Sequence, residues 1–117
     1  MDKATIPQSI AIFIRAVNDC DPDALLSCFT DDAVVSDVGR EFRGSAAIKE
    51  WSRKEIFDVN VTLEVIKVME REGETVVTVK CDGAFDKTGL PDPLLLDHYF
   101  TAKGDKIAVF KSRLAGE

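Results

Sequence analysis

Ile10, Phe13, Ile14 and Val17, with Ile6 just ahead of them, recur at helical spacing and predict an amphipathic helix over residues 8–19. Asp21-Pro22 then supplies an N-cap followed by proline at the first helical position. Leu25, Leu26 and Phe29 give the inner face of the short helix that follows. "AVVSDV", residues 33–38, is a β-branched run that reads as a strand closed by Gly39. Gly44-Ser45 opens a third helix with apolar positions at Ile48, Trp51 and Ile56. After residue 58 the period changes. Residues 59–70 are rich in strand formers and "EREGE" makes a turn. Residues 75–85 then put Val77, Val79 and Cys81 on one face and Thr78, Lys80 and Asp82 on the other, as a half-buried antiparallel strand does. "DKTGLPDP" is a turn-rich connection, and residues 93–102 and 106–114 form a hairpin around Lys103-Gly104-Asp105. Helices first and long strands last is the α+β pattern, a curved antiparallel sheet folded around helices.

Composition narrows the function classes. At 117 residues and 45% apolar, the chain reads as one domain, 1–117, able to bury a core without disulfides or a structural metal. It has no internal repeat or linker. The net charge of −6, with no run of basic residues, argues against nucleic acid and anionic membranes as partners. Three cysteines without a CxxC pair, and a single histidine, argue against a zinc site and for a reducing, cytoplasmic compartment. "MDKATIPQSI" shows no basic start followed by an apolar run, so no signal peptide is expected. No stretch is long and apolar enough to span a bilayer.

The chemistry concentrates on the strands. Asp97 stands among Leu94, Leu95, Leu96, Tyr99 and Phe100, where an ionised carboxylate is costly unless it is paired, hydrogen-bonded or protonated. By alternation it shares a face with Leu95 and Tyr99, which leaves it open as either a functional group or a satisfied core acid. His98 points the other way with Leu96 and Phe100, so Asp97-His98 is no dyad by adjacency, and this lone histidine reads as structural or interfacial. A second acid, Asp37, ends the first strand and shares a face with Val35; on spacing alone it reads as a turn carboxylate beside Gly39. Arg40 and Arg43 read as a solvated loop, and Cys20 and Cys28 as small buried hydrophobes.

"VNDCDPDALLSCFTDDAVVSDVG" and "LDHYFTAKGDKI" resemble segments of the ketosteroid isomerase and SnoaL-like polyketide cyclase families of the nuclear transport factor 2-like, cystatin-like superfamily. The resemblance implies a cone-shaped barrel, a curved, mostly antiparallel sheet wrapped around three helices of the N-terminal half, with an apolar pocket at its wide end. By position it implies that Asp37 is a general base shuttling a proton between carbons. It likewise implies that Asp97 is a protonated acid donating a hydrogen bond to the developing enolate. These isomerases also carry a tyrosine on the first helix as oxyanion donor. Phe13 stands there and cannot donate; Tyr99, two residues after Asp97 on the same face, is open either as a phenol supplied from the other side or as a tyrosine packed at the pocket rim. Phe13, Trp51, Phe85, Phe110 and Leu114 are expected to line the cavity or core. The implied function is proton transfer on a small apolar carbonyl compound without cofactor or metal, by an isomerase, cyclase or dehydratase. The alternative is a non-catalytic ligand-binding or association module of the same fold. A homodimer is expected through the outer sheet face, with Leu94, Leu96, His98 and Phe100 as its apolar row.

Overall fold

The computed structural model describes residues 6–115; the start of the N-terminal stretch read above for a leader, residues 1–5, lies outside them. Helices α1 (Gln8–Asn18) and α2 (Pro22–Ser27) precede strand β1 (Phe29–Asp37) and the short β2 (Arg40–Arg43). Helix α3 (Gly44–Ser52) runs into a π-helical turn, Arg53–Phe57. Strands β3 (Thr62–Arg71), β4 (Glu74–Asp82), β5 (Leu95–Lys103) and β6 (Lys106–Leu114) complete the chain. The fold is α+β, as the order of elements predicts.

All six strands form one open sheet in the order β2-β1-β6-β5-β4-β3. β1 pairs with β6 in parallel, and every other neighbour is antiparallel. β2 and β3 are edges, so the barrel does not close. Two strand segments escape sequence reading. β1 begins at Phe29, four residues early, because its Thr30–Asp32 stretch is polar, with Asp31 and Asp32 exposed, and carries no alternation. β2, "REFR", has one apolar residue and exists because a two-residue turn folds it back on β1.

One face of the sheet receives the helices. Ile10, Phe13 and Val17 form the buried stripe of α1, at the i, i+3, i+7 spacing the sequence predicts. They pack with Phe100, Phe110 and Ile107 of the two last strands, and Ile48 and Trp51 of α3 close over Val35 of β1. Asn18, at the end of α1, clamps β3: its side-chain amide donates to Leu63 O at 2.9 Å and accepts from Leu63 N at 2.7 Å. Burying about a dozen large side chains fully or nearly so supplies the main stabilising term of such a domain.

The face assignment of β5 corrects an expectation. Leu96, His98 and Phe100 point inward, toward the helices, and Phe100 is 1% exposed. They are not an outward row available to a partner. The outward set is Leu95, Asp97 and Tyr99. Alternation separates the two sets but cannot say which is inside, and each holds two apolar residues and one titratable one.

Candidate functional site

A cavity of about 330 Å³ lies between the inner face of the sheet, α1, and α3 with its π-turn. Its floor is aromatic. Phe13 and Phe110 stand 5.0 Å apart by ring centroids, and Trp51 reaches Phe110 at 5.7 Å. The His98 ring lies 4.9 Å from that of Phe110, edge to face. Val17, Leu63, Cys81 and Leu96 continue the apolar wall. Phe85 enters from the connection between β4 and β5. Gly83 makes this possible, because a Cβ there would meet Val59 O at 2.9 Å and the Phe85 ring at 3.0 Å. Of the expected lining residues, Phe13, Trp51, Phe85 and Phe110 are in place. Leu114 shares the inner face opposite Leu96 but does not line the cavity.

Three polar side chains cross the cavity in a row. Asp37 on β1 is the register partner of Ser112 on β6, and Ser112 is the register partner of His98 on β5. Directly opposed residues project from the same face, so carboxylate, hydroxyl and imidazole line one wall. At about 4.8 Å per strand step, the outer two sit roughly 10 Å apart at their Cα atoms.

Asp37 is held from both sides. Trp51 Nε1 donates to its Oδ2 at 3.0 Å, and Arg40 Nη2 approaches the same oxygen at 3.5 Å. Arg40 also reaches Glu55 at 3.4 Å and lies over the Phe42 ring. It is thus a rim residue tethered among acids and not a free loop cation. The β1–β2 turn presents Asp37 by placing Val38 at φ 48° and Gly39 at φ 84°. That left-handed pair matches the twist of a two-residue hairpin, though a β-branched residue adopts it only under strain. Val38 is 71% exposed and forms an apolar lip of the cavity with Leu90.

His98 is 5% exposed, and its Nδ1 has no hydrogen-bond partner. Burial among aromatic rings pushes its pKa down to about 3, so the ring is neutral at physiological pH. Burial, aided by the charges of Asp82 and Asp37, pushes the Cys81 thiol up to about 11. Among the described residues, no three His, Cys, Asp or Glu side chains gather as a metal site requires. No helix among them is long and apolar enough to cross a membrane.

Asp97 and Tyr99 are not part of this site, which corrects the expectation that Asp37 and Asp97 share one pocket. Asp97 faces outward, where its Oδ1 accepts from Thr78 Oγ1 at 2.6 Å and Arg113 is its register partner. Tyr99 lies beside it under the Arg113 guanidinium, 5.5 Å from ring centroid to Cζ. The carboxylate among leucines is therefore tolerated by a hydroxyl donor and a neighbouring cation. Cys20 is exposed, not buried as expected, whereas Cys28 is buried. His98 and Ser112 are the site residues that sequence reasoning misses. The alternation placed His98 with Phe100; only the register of β5 against β4 and β6 shows that this set faces the helices.

The family model described as a SnoaL-like domain matches residues 10–110 of the chain. No curated protein sequence matches it. Among solved structures, a Sinorhizobium meliloti protein provisionally assigned as a polyketide cyclase superposes with a TM-score of 0.82 and 27% identity, covering 92% of this chain and 95% of that one. A Catenulispora acidiphila protein with a ketosteroid isomerase-like fold, in complex with trimethylamine, superposes at 0.78 with 19% identity, over 96% and 88% of the two chains. A Mycobacterium tuberculosis protein in complex with estradiol-17β-hemisuccinate superposes at 0.75 with 13% identity, over 92% of each chain. The last two likenesses are of fold.

Proposed function

The chain belongs to the SnoaL-like domain family, and from that membership and the make-up of its cavity we propose that it binds a small apolar carbonyl compound and moves a proton on it. The observation that carries this reading is Asp37: a carboxylate fixed by an indole N–H at the edge of a cavity whose floor is aromatic, with Ser112 and His98 along one wall and Arg40, Lys54, Glu55 and Asp86 also in its lining. An apolar ring system fills such a volume, and Asp37, anchored beside the aromatic floor, lies where it can take a proton from a carbon next to the carbonyl. The electron pair of the broken C–H bond moves onto the carbonyl oxygen as an enolate. Return of the proton to a different carbon is isomerisation. Attack of the enolate carbon on a second carbonyl is cyclisation. Neither step needs a cofactor. The likeness to the Sinorhizobium meliloti protein at 27% identity supports the cyclase variant, and the steroid held by the Mycobacterium tuberculosis protein supports an apolar ring as ligand.

A second reading, a binding module without turnover, is favoured by Phe13, which is 1% exposed, packed among rings and unable to donate to an enolate. The two readings separate on hydrogen exchange. 1-Tetralone in D₂O should exchange its α-hydrogens faster with the protein than without. Asp37→Asn should remove that acceleration, by about 10²- to 10⁴-fold, while leaving binding in place. Binding without accelerated exchange establishes the module.

The assembly we propose is a homodimer through the outer sheet face, whose central strands carry Leu95, Tyr99 and Val76, flanked by Met69. Val76, on that face, is 7% exposed. Sedimentation at micromolar concentration tests it, and a monomer there refutes it. Three free thiols among the described residues fit a reducing, cytoplasmic setting.

A further inference from the structure

The donors that the resemblance implied for the enolate oxygen are not in the cavity, because Asp97 and Tyr99 lie on the far face and Phe13 has no hydrogen to give; along the row, Ser112 stands next to the base and His98 at the far end. We propose that the neutral imidazole of His98 is the group that binds the ligand's carbonyl oxygen, so that the ligand lies along the Asp37–Ser112–His98 row with its oxygen at the histidine end and its acidic C–H at the aspartate end. This inference rests on the small-ligand reading of the cavity.

Burial, an unpartnered nitrogen and ring packing carry it. The ring is 5% exposed, lines the cavity, and has a buried Nδ1 without a partner. A buried imidazole nitrogen left unpaired is unfavourable, and in a native structure such a group marks a strained, catalytic or ligand-completed position. Ser112, directly opposite in register, does not bond that nitrogen. Phe13, Phe100 and Phe110 hold the ring edge to face at 6.3, 6.2 and 4.9 Å, which fixes its plane without using its polar atoms.

The charge state suits the task. An imidazolium here would be an uncompensated buried charge, and the depressed pKa keeps the ring neutral. A neutral imidazole presents one N–H donor and one acceptor, and a donor in a water-poor, aromatic site stabilises developing negative charge on oxygen strongly. Asp37 lies two strand positions away, so it can meet the carbon acid while the oxygen is at His98, as a conjugated or ring ketone permits.

The test compares 1-tetralone with tetralin, the same bicycle without its oxygen, by quenching of Trp51, the chain's single tryptophan and a cavity-lining residue. His98→Phe, which suits the aromatic cluster, should weaken 1-tetralone about five- to thirtyfold and leave tetralin within about twofold. His98→Gln, which keeps a donor, should recover part of the loss. In the wild-type protein the ¹³C carbonyl resonance of bound 1-tetralone should move downfield, as it does on accepting a hydrogen bond. Equal loss of both ligands, no loss of either, or an unshifted carbonyl overturns the role of His98 while leaving the cavity reading standing. Failure of both compounds to bind the wild-type protein overturns both.

Discussion

The indole N–H of Trp51 and the carboxylate of Asp37 meet at 3.0 Å, joining helix α3 to the end of β1. This bond ties the candidate base to an element that has no other polar hold on it, and it uses one carboxylate oxygen, Oδ2. Trp51→Phe keeps most of the ring packing against Phe110 and deletes only the donor. Stability should fall by about 1–2 kcal/mol, the low end for a bond to a charged group, because Asp37 retains partial contact with water. The α-hydrogen exchange of 1-tetralone should fall about tenfold through lost orientation of the carboxylate. Urea unfolding followed by circular dichroism, and exchange followed by ¹H NMR, read the two effects.

Val38 holds a left-handed backbone conformation at φ 48° with its side chain 71% exposed. Asn accepts that conformation far more readily than a β-branched residue. Val38→Asn should therefore stabilise the protein by about 1 kcal/mol, and it should weaken tetralin binding by removing an apolar lip of the cavity. A denaturation midpoint that does not rise would show that the turn is not strained.

Acid should destabilise the protein through His98. Its folded-state pKa, about 3, lies below the unfolded value near 6.5, so the unfolded chain binds the extra proton between those limits. The contribution is fully present above pH 6.5 and is lost as pH falls toward 3, at up to about 1.4 kcal/mol per pH unit. Desolvation alone drives the shift, and the nearest acid facing the ring along the row is Asp37 at its far end. His98→Phe should flatten the stability profile between pH 6.5 and 4 relative to the wild type. Parallel profiles would mean that the histidine titrates normally.

The thiols should separate by reactivity. Burial raises the Cys28 and Cys81 thiols to about 11, so neither carries appreciable thiolate at pH 8. Cys20 is exposed. Iodoacetamide followed by mass spectrometry should label Cys20 first and the other two only after unfolding. Rapid native labelling of Cys81 would show that the cavity opens more than the structure indicates.

The α+β order, the inner stripe of α1 and the inward set of β4 were legible because each rests on local periodicity. Val77, Val79 and Cys81 alternate with polar residues, so their side of the strand was unambiguous. β5 was not legible in the same way. Leu95 and Tyr99 flank Asp97 as Leu96 and Phe100 flank His98, and nothing local breaks the tie. What breaks it is register: Val77 opposes His98 and Val79 opposes Leu96, and the known inner face of β4 then decides the matter. The positional analogy favoured the acid and so favoured the wrong face. Half of the candidate site was foreseen in Asp37 and the aromatic floor. His98 was seen but set outside, and Ser112 gave no signal beyond its place on the last strand.

The parallel pairing of β1 with β6 sets when the site can come into being. β6 lies between β1 and β5, and without it Asp37 and His98 belong to two separate sheet fragments. The N-terminal half can form its helices and the β1–β2 hairpin, and β3, β4 and β5 can zip together by local turns. The row of three polar groups appears only when the final strand in chain order inserts, closing a contact between residues 37 and 112. Loop-closure entropy makes such distant pairings slow to form, so the site is expected to assemble late in folding. Until β6 pairs, Phe110 and Ser112 are not in place, and the cavity lacks part of its floor and the middle of its polar row.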